Sequence, residues 1–339
     1  MIAAAMTQTP GRQFDNERTH RRREMLGVIG AVLAWPLAAR AQPTRTVTIG
    51  VLTLASPDPE PLVAALREGL RAAGYVEGRN LRLEIRAAAG RPDLQLQKAA
   101  ELVGLKVDLI VTFFTPAALA AKQATRDIPV VMAGAGDPVE SGLVASLAKP
   151  GGNVTGQSSG GAEVAGKSVE LIREVIPAAR RLGVLADESD PFVKPYVDQI
   201  RQAARGAGMA VEPVMIRPEL PLEAAFRTLT DKHVDALLIQ GSIARKEMLD
   251  LALAHRLPAV TSIRLGPALG ALMSYGSDYF ALARESAAYV DKILKGAKPA
   301  DLPVAFPTKF VFIINLKTAR ALGIEISPTM LARADELIE

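Results

Sequence analysis

The sequence predicts an α/β protein of two Rossmann-like lobes with parallel sheets, joined by a three-stranded hinge. Short apolar runs rich in β-branched residues alternate with Ala- and Leu-rich stretches of helical length, which is the pattern of βαβ units. The same order of elements occurs twice, at an offset of about 127 to 134 residues across five elements. Three further strand-like segments lie outside this repeat. We expect these three segments to pass between the two lobes, and three such passages would form a hinge.

The first lobe is expected to comprise residues 42–155 and 277–306. The run from Val107 to Phe114 is rich in β-branched and aromatic residues, which is typical of a strand buried on both faces. An Ala-rich helix follows it, and Thr115 and Pro116 at the join are expected to be its N-cap and first helical residue. The predicted elements are strand 46–53, helix 61–73, strand 80–86, helix 92–105, strand 107–114, helix 116–124 and strand 128–133.

The second lobe is expected to comprise residues 156–276 and 307–339. Its first strand, Arg181–Asp187, repeats the pattern of Thr48–Leu54, and Val234–Ser242 repeats that of the Val107 run. Its other predicted elements are helix 196–207, strand 211–216, helix 222–232, a helix that ends at 255 and a strand that ends at 262. The three hinge segments are 152–157, 270–276 and 309–315.

Residues 1–41 are expected to be an export signal rather than part of the fold. Arg22-Arg23-Glu24-Met25-Leu26 is similar to a twin-arginine motif, and the apolar run that follows is too short to span a bilayer. Ala39-Arg40-Ala41 is an A-x-A site, so cleavage after Ala41 would release a periplasmic protein that begins at Gln42. An ordinary basic signal region or an uncleaved anchor is the alternative. No later segment has the roughly 18 uninterrupted apolar residues of a membrane span, so we expect a soluble mature protein.

The composition argues against several classes of function. The chain has no cysteine, which excludes disulfides, thiol catalysis and cysteine metal ligands. Of its formal net charge of +4, residues 1–41 carry six Arg against three acidic residues, so the remainder is close to neutral. The remainder has no basic stripe, and nucleic-acid binding therefore has no electrostatic basis. Only two of the three histidines lie outside the signal, so we expect no His-based metal site and no cofactor, while an all-oxygen metal site stays open.

Several long motifs resemble those of one family. They are the Arg-Arg-Glu-Met-Leu signal, the loop from Gly134 to Gly156, the segment Leu272–Gly276, and the tail from Pro307 to Glu339. In these motifs the chain resembles the periplasmic substrate-binding proteins of ABC transporters, of the tryptophan or aromatic-amino-acid type. The resemblance implies a type I binding-protein fold, a ligand between the lobes, and delivery of that ligand to a membrane permease.

The candidate ligand site lies where strands end. In open α/β sheets, ligands bind at the carboxyl ends of parallel strands, and each lobe supplies such an edge. Tyr275, beside the second crossing of the chain, is a candidate to cap the cleft or to stack on a ligand ring. The candidate ligand-binding residues are Ser56, Thr115, Pro116, Asp137, Asp187, Ser189, Ser242 and Tyr275. For each Ser, Thr and Asp among them, helix capping or turn formation is the alternative role.

For an amino acid, the resemblance and the residue types suggest roles. Thr115 and the N–H groups after it suit the ligand carboxylate, and Asp137 or Asp187 would pair with the ammonium. The second lobe has Asp187-Glu188-Ser189-Asp190-Pro191 where the family often has Asn-Pro, and Gly241–Lys246 lacks the Pro-Asp often found there. Three acids within 187–190 would favour an amine-bearing ligand or would form a solvated loop.

One motif suggests a different class of function. Gly156-Gln-Ser158-Ser-Gly160 fits the G-x-S-x-G nucleophile elbow, which requires a strand before it and a helix directly after it. A further glycine follows here, at an expected crossing of the chain, which speaks against a hydrolase. We therefore expect a non-enzymatic, monomeric solute-binding protein of an ABC importer that closes on an amino acid or related carboxylate. A ligand sensor for a membrane receptor and a secreted serine hydrolase using Ser158 are the alternatives.

Overall fold

The computed structural model describes residues 45–54, 58–89, 91–217 and 220–339. The expected export signal and Ser56 lie outside these ranges. In the described part of the chain, no helix combines the length and the hydropathy that a membrane crossing requires.

The first lobe is built on a five-stranded sheet in which every strand pair is parallel. Its spatial order is β2-β1-β3-β4-β5. In chain order, the elements are β1 (Val47–Thr53), α1 (Glu60–Ala72), β2 (Leu81–Ala87), α2 (Gln95–Gly104), β3 (Leu109–Phe113), α3 (Thr115–Ala124), β4 (Val130–Ala135) and β5 (Val154–Ser158), with a 3-10 turn at Pro92–Leu94. All residues of β3 are buried, because helices cover both faces of the sheet.

The second lobe is built on a seven-stranded sheet with the order β12-β11-β10-β9-β8-β6-β7. Its elements are α4 (Gly161–Val175), β6 (Arg181–Asp187), α5 (Val193–Gly206), β7 (Ala210–Ile216), α6 (Leu222–Asp231), β8 (Ala236–Ile239), α7 (Lys246–Ala254), β9 (Ala259–Thr261), β10 (Met273–Ser277), β11 (Phe310–Asn315), α9 (Leu316–Leu322), α10 (Pro328–Arg333) and β12 (Glu336–Ile338). Helix α8 (Tyr279–Leu294) returns to the first lobe. Within the sheet only the β10–β11 pair is antiparallel.

The strand orders confirm the repeat. The order β7-β6-β8-β9-β10 in the second lobe matches β2-β1-β3-β4-β5 in the first, which is the doubly wound arrangement. In this arrangement the strand order reverses between β1 and β3, and again between β6 and β8. These two switch points are where crevices open for ligands.

Each sheet is enclosed by apolar helix faces. In the first lobe, α1 and α8 pack on one face of the sheet and α2 and α3 on the other. Gly69 of α1 allows a close approach to α8, because a Cβ there would lie 2.2 Å from the backbone oxygen of Arg284. Helix α8 therefore belongs to the first lobe although it follows the second-lobe strand β10 in sequence.

The chain passes between the lobes just beyond the segments that were expected to form the hinge. Those segments are themselves members of the two sheets, because ladder pairing extends them into β5, β10 and β11. The crossings lie after Ser158, after Ser277 and between Ala305 and Phe310, and they contact one another. The Ser158 backbone N–H donates to the Ala305 oxygen at 2.8 Å, and the Ser277 hydroxyl donates to the Ser159 oxygen at 2.5 Å.

Candidate functional site

The two switch points lie on opposite sides of a cleft. The larger of two cavities there has a volume of about 1230 Å³, and residues of both lobes line it. Pro116 and Leu119 belong to its first-lobe wall, and Asp187 and Ile216 belong to its second-lobe wall. A smaller cavity of about 60 Å³ is lined by Phe114, Ser242 and Tyr279 among others, and it shares Ile243 and Arg245 with the larger one. The two cavities are therefore neighbouring compartments of the cleft.

The first-lobe wall is shaped by the turn from β3 into α3. Phe114 makes this turn with φ 69° and ψ 159°, a conformation that is nearly restricted to glycine and costs about 1–3 kcal/mol. Phe114 takes the position before the helix, so Thr115 is the first helical residue and the prediction that Thr115 is the N-cap is wrong. Strain of this kind is concentrated at functional sites.

The Thr115 side chain instead ties two strand ends together. Thr115 is buried, and its hydroxyl oxygen accepts a hydrogen bond of 2.8 Å from the backbone N–H of Gly136, which follows β4. Pro116, directly after it, lines the larger cavity. The hydroxyl therefore fixes the end of β4 against the start of α3.

Asp137 caps a turn rather than facing the cleft. Its Oδ1 accepts hydrogen bonds from the backbone N–H groups of Val139 and Glu140, and Asp137 lines neither cavity. Tyr275 also lines neither cavity, because its ring stacks on Phe310 at a centroid distance of 5.8 Å inside the second lobe.

The second-lobe wall contains a buried polar network at the ends of β6 and β8. Gln240 connects the two ends: its Oε1 accepts from the Asp187 backbone N–H at 2.8 Å, and its Nε2 donates to Asp190 Oδ2 at 2.7 Å. Asp190 Oδ1 accepts from the Phe192 backbone N–H at 2.9 Å. Ser189 donates to Asp187 Oδ1 from both its backbone N–H and its hydroxyl.

The two buried acids of this network differ in what surrounds them. Burial raises the pKa of Asp190 to about 7, and the charge of Asp187 adds to the effect. Asp187 is 5% exposed, and its Oδ2 has no hydrogen-bond partner among the described residues. Glu188, in contrast, is exposed and forms an ion pair with Arg217. The alternative of a solvated 187–190 loop is therefore wrong for Asp187 and Asp190, which are buried.

Other polar atoms at the cleft also lack partners. Both side-chain polar atoms of Gln95, which lines the larger cavity, are buried and form no hydrogen bond within the described ranges. The same is true of the Ser242 hydroxyl at the smaller cavity. Since buried polar groups are almost always hydrogen-bonded, these atoms are exceptions that require an explanation.

The rim of the cleft is cationic but exposed. Its charged side chains are mostly engaged in local pairs: Arg91 with Asp93, Lys122 with the Gly142 oxygen, Arg217 with Glu188, and Arg245 with Glu247. The Arg91 guanidinium lowers the pKa of Asp93. Exposed pairs of this kind stabilise by about 0–1 kcal/mol, so they add little to the stability of the fold.

A ring from the second lobe reaches the first lobe at the back of the cleft. Phe192 packs against Gly136 of the first lobe and against Gly161 at the start of α4. A Cβ at Gly136 would lie 2.6 Å from Phe192 Cγ, and one at Gly161 would lie 2.5 Å from Cζ. Both glycines are needed here for close approach, and the contact joins the two lobes.

Ser158 does have the local structure that the elbow motif requires, since it ends β5 and α4 begins at Gly161. The residue, however, is only 1% exposed, and its hydroxyl oxygen accepts a hydrogen bond from the Gly160 backbone N–H. His255 bonds to Thr230 through Nδ1, and His233 is exposed, so neither contacts Ser158. Among the described residues, no group of three or more His, Cys, Asp or Glu side chains could hold a metal ion.

Sequence reasoning missed five residues of the site. Gln240 ends an apolar strand and could have been selected as the polar residue at a strand end. Asp190 was noted only as part of an acidic loop, and Gln95 has the sequence context of an ordinary surface helix. Phe114 and Phe192 carry no local signal, because their roles depend on backbone conformation and on the other lobe.

Comparison with known proteins agrees with this architecture. The family model for ABC transporter substrate binding proteins matches residues 49–338. A tyrosine-binding protein from Clostridioides difficile (strain R20291) is 31% identical over 256 residues, covering 74% of this chain and 73% of that protein. A solved ABC domain in complex with L-Trp from Streptococcus pneumonia is 30% identical, with a TM-score of 0.79, covering 86% of this chain and 100% of that chain. A ligand-free, open substrate-binding protein with adhesive properties from Clostridium difficile is 26% identical, with a TM-score of 0.62, covering 87% of this chain and 99% of that chain.

The family match extends over most of the chain, and the fold has two doubly wound lobes around a cleft, so the family of the chain can be assigned. The chain belongs to the family of ABC transporter substrate-binding proteins.

Proposed function

We propose that the protein is the exported solute-binding component of an ABC importer and that it binds an amino acid, or a related carboxylate, between its lobes. Asp187 carries the proposal. Its Oδ2 is buried in the cavity wall at the carboxyl end of β6, with no partner among the described residues. A buried carboxylate oxygen requires a donor or a cation, and the ammonium group of an amino acid would supply both. The tyrosine-binding relative and the L-Trp complex support this ligand class.

We assign the ligand carboxylate to the start of α3 in the first lobe, where Pro116 lines the larger cavity. The first N–H groups of α3 have no acceptor within the helix and carry the positive end of its dipole, so they favour an anion. Pro116 contributes no N–H, which leaves Thr115 and Ala117 as the backbone donors in this turn. An amino acid held by Asp187 and by this turn would connect the two lobes.

Such a ligand would close the lobes about the three crossings. In support, the structure has a TM-score of 0.79 to the L-Trp complex and 0.62 to the ligand-free, open relative. The contact of Phe192 with Gly136 also brings the lobes together at the back of the cleft. We infer that this structure corresponds to the closed state and that ligand binding stabilises it against an open one.

The remaining parts of the proposal follow from the role of such a protein. The twin-arginine-like segment would direct export, cleavage after Ala41 would release the protein into the periplasm, and the monomer would deliver its ligand to a membrane permease without catalysis. Family membership supports the partnership with a transporter.

Isothermal titration calorimetry with the twenty amino acids tests the ligand class. We expect at least one of them to bind wild-type protein, and Asp187→Asn to weaken that binding about 10- to 100-fold, because a hydrogen bond to a charged group is worth about 1.5–3 kcal/mol. The substitution keeps the Oδ1 acceptor that Ser189 uses. Asp137→Asn is the matched control, since Asp137 lies outside both cavities and should leave the affinity unchanged. Binding that Asp187→Asn leaves intact would refute the ammonium assignment, and absence of binding by every amino acid would refute the ligand class.

A further inference from the structure

Gln95 is the buried polar residue at the cleft that neither the strand-end argument nor the fold explains. It is the first residue of α2 and is 2% exposed. Its Nε2 and Oε1 are both inaccessible, and neither forms a hydrogen bond within the described part of the chain. Gln95 also lines the larger cavity.

A carboxamide without partners is costly in a folded protein. Buried side-chain polar atoms nearly always have a partner, and leaving a donor and an acceptor unmatched destabilises the fold. The other unmatched hydroxyls within the described residues that lie outside the cleft, those of Thr112 and Ser274, belong to strands and line neither cavity. Gln95 differs from them because it lines the cavity in which a ligand would lie.

The surroundings of Gln95 indicate which part of a ligand it would meet. The cavity walls include Leu96, Pro116 and Leu119 from the first lobe and Leu220 and Leu222 from the second. The charged side chains of the same cavity are exposed, apart from the partly buried Arg245, which pairs with Glu247, and Asp187, which the proposed function assigns to the ligand ammonium. Gln95 is therefore a neutral donor and acceptor in a mainly apolar compartment. This compartment suits a largely apolar ligand side chain that carries one neutral polar group.

We propose that Gln95 is a specificity-determining residue, which hydrogen-bonds a neutral polar group, such as a hydroxyl or a carboxamide, on the side chain of the bound ligand. This inference rests on the proposed function, because it takes the ligand to be an amino acid or a close relative. A ligand with a wholly apolar side chain leaves the Gln95 carboxamide without a partner and therefore binds more weakly than a ligand with a polar group there.

Paired ligands that differ in one polar group test the proposal. L-tyrosine against L-phenylalanine and L-glutamine against L-methionine are titrated calorimetrically into wild-type protein, Gln95→Met and Gln97→Met. Gln97 lies on the same helix but is exposed and lines neither cavity, so its substitution is the matched control. For at least one pair we expect wild type and Gln97→Met to bind the polar member about tenfold or more tightly than its apolar partner. In Gln95→Met this preference should disappear.

The outcomes separate the two proposals. If none of the twenty amino acids binds, the proposed ligand class and this inference both fail. If other amino acids bind but none of these four does, if wild type shows no preference in either pair, or if Gln95→Met keeps the preference, only the role of Gln95 fails.

The stability of the ligand-free protein provides a second readout. Methionine has a similar length and no unmatched donor, so Gln95→Met should leave the melting temperature of the ligand-free protein unchanged or raise it. A lower melting temperature would assign Gln95 a structural role and overturn the proposal.

Discussion

The pH dependence of stability offers a direct test of the buried network at the ends of β6 and β8. Asp190 is 2% exposed, and burial raises its pKa from the ordinary value of 3.8 to about 7. The folded state therefore binds a proton at this carboxyl between these two pH values, while the unfolded state has released it. Stability consequently falls as pH rises through this window, with the loss complete above the folded-state pKa.

The magnitude follows from the two pKa values. Where the folded state holds one proton more than the unfolded state, the free energy of unfolding decreases by about 1.4 kcal/mol per pH unit. Between about pH 5 and pH 8 this amounts to about 3 kcal/mol. The charge of Asp187 raises the pKa of Asp190 further, whereas the hydrogen bonds from Phe192 and Gln240 lower it. The exposed acids whose pKa values are lowered, such as Asp93 and Asp198, act in the opposite direction but only below about pH 4.5.

Urea denaturation at several pH values between about 5 and 8 measures this slope. Wild-type protein should lose stability as the pH rises, and Asp190→Asn should show a flatter profile because it has no carboxyl to titrate. Glu188→Gln, in the same loop but exposed and paired with Arg217, should keep the wild-type slope. The test depends on the slope rather than on absolute stability, since an amide at position 190 also faces the Gln240 donor. Equal slopes in wild type and Asp190→Asn would show that Asp190 ionises at its ordinary pKa, and the reasoning would be wrong.

Two further predictions concern the contacts that hold the cleft together. Gly136→Ala should destabilise the protein by about 1–3 kcal/mol and weaken ligand binding, because the new Cβ would meet the Phe192 ring across the lobes. Gly104→Ala is the control and should not destabilise the protein, because nothing lies within 4 Å of the added Cβ. If Gly136→Ala and Gly104→Ala changed the free energy of unfolding equally in chemical denaturation, a steric cause would be excluded. Thr115→Val should cost about 1–3 kcal/mol, because the Gly136 N–H loses its acceptor in a buried position. An unchanged denaturation midpoint for Thr115→Val would show that water or another group replaces the hydroxyl.

The fold could be predicted from the sequence because its signals are local and repeated. The Val107 run indicates a buried strand by its own composition, and the recurrence of its pattern at Val234–Ser242 indicates the second lobe. The strand orders of the two sheets agree with that repeat. The sequence also places Pro116, Asp187 and Ser189, which line the larger cavity, at strand ends, since the carboxyl end of a parallel strand can be located from the strand itself.

The rest of the site depends on contacts that local patterns do not encode. Gln240 and Asp190 are 50 positions apart in sequence, and their hydrogen bond exists only because β6 and β8 are neighbours in the sheet. Phe114 replaces Thr115 at the N-cap through a positive φ that sequence preferences assign to glycine. Tyr275 was expected near the cleft from its position beside a crossing, but its stacking on Phe310 follows from the antiparallel pairing of β10 with β11.

Two acids can share one buried loop because they need not be charged together. With a pKa of about 7, Asp190 is mostly neutral below that pH, so it then places no negative charge beside Asp187. Gln240 donates to Asp190 whether that carboxyl is neutral or ionised, and it holds the backbone of Asp187 through a separate hydrogen bond. The position of Asp187 is therefore maintained by groups other than its own Oδ2. In the proposed function, this arrangement leaves that oxygen free for the ligand ammonium and needs no rearrangement of the network when the ligand binds.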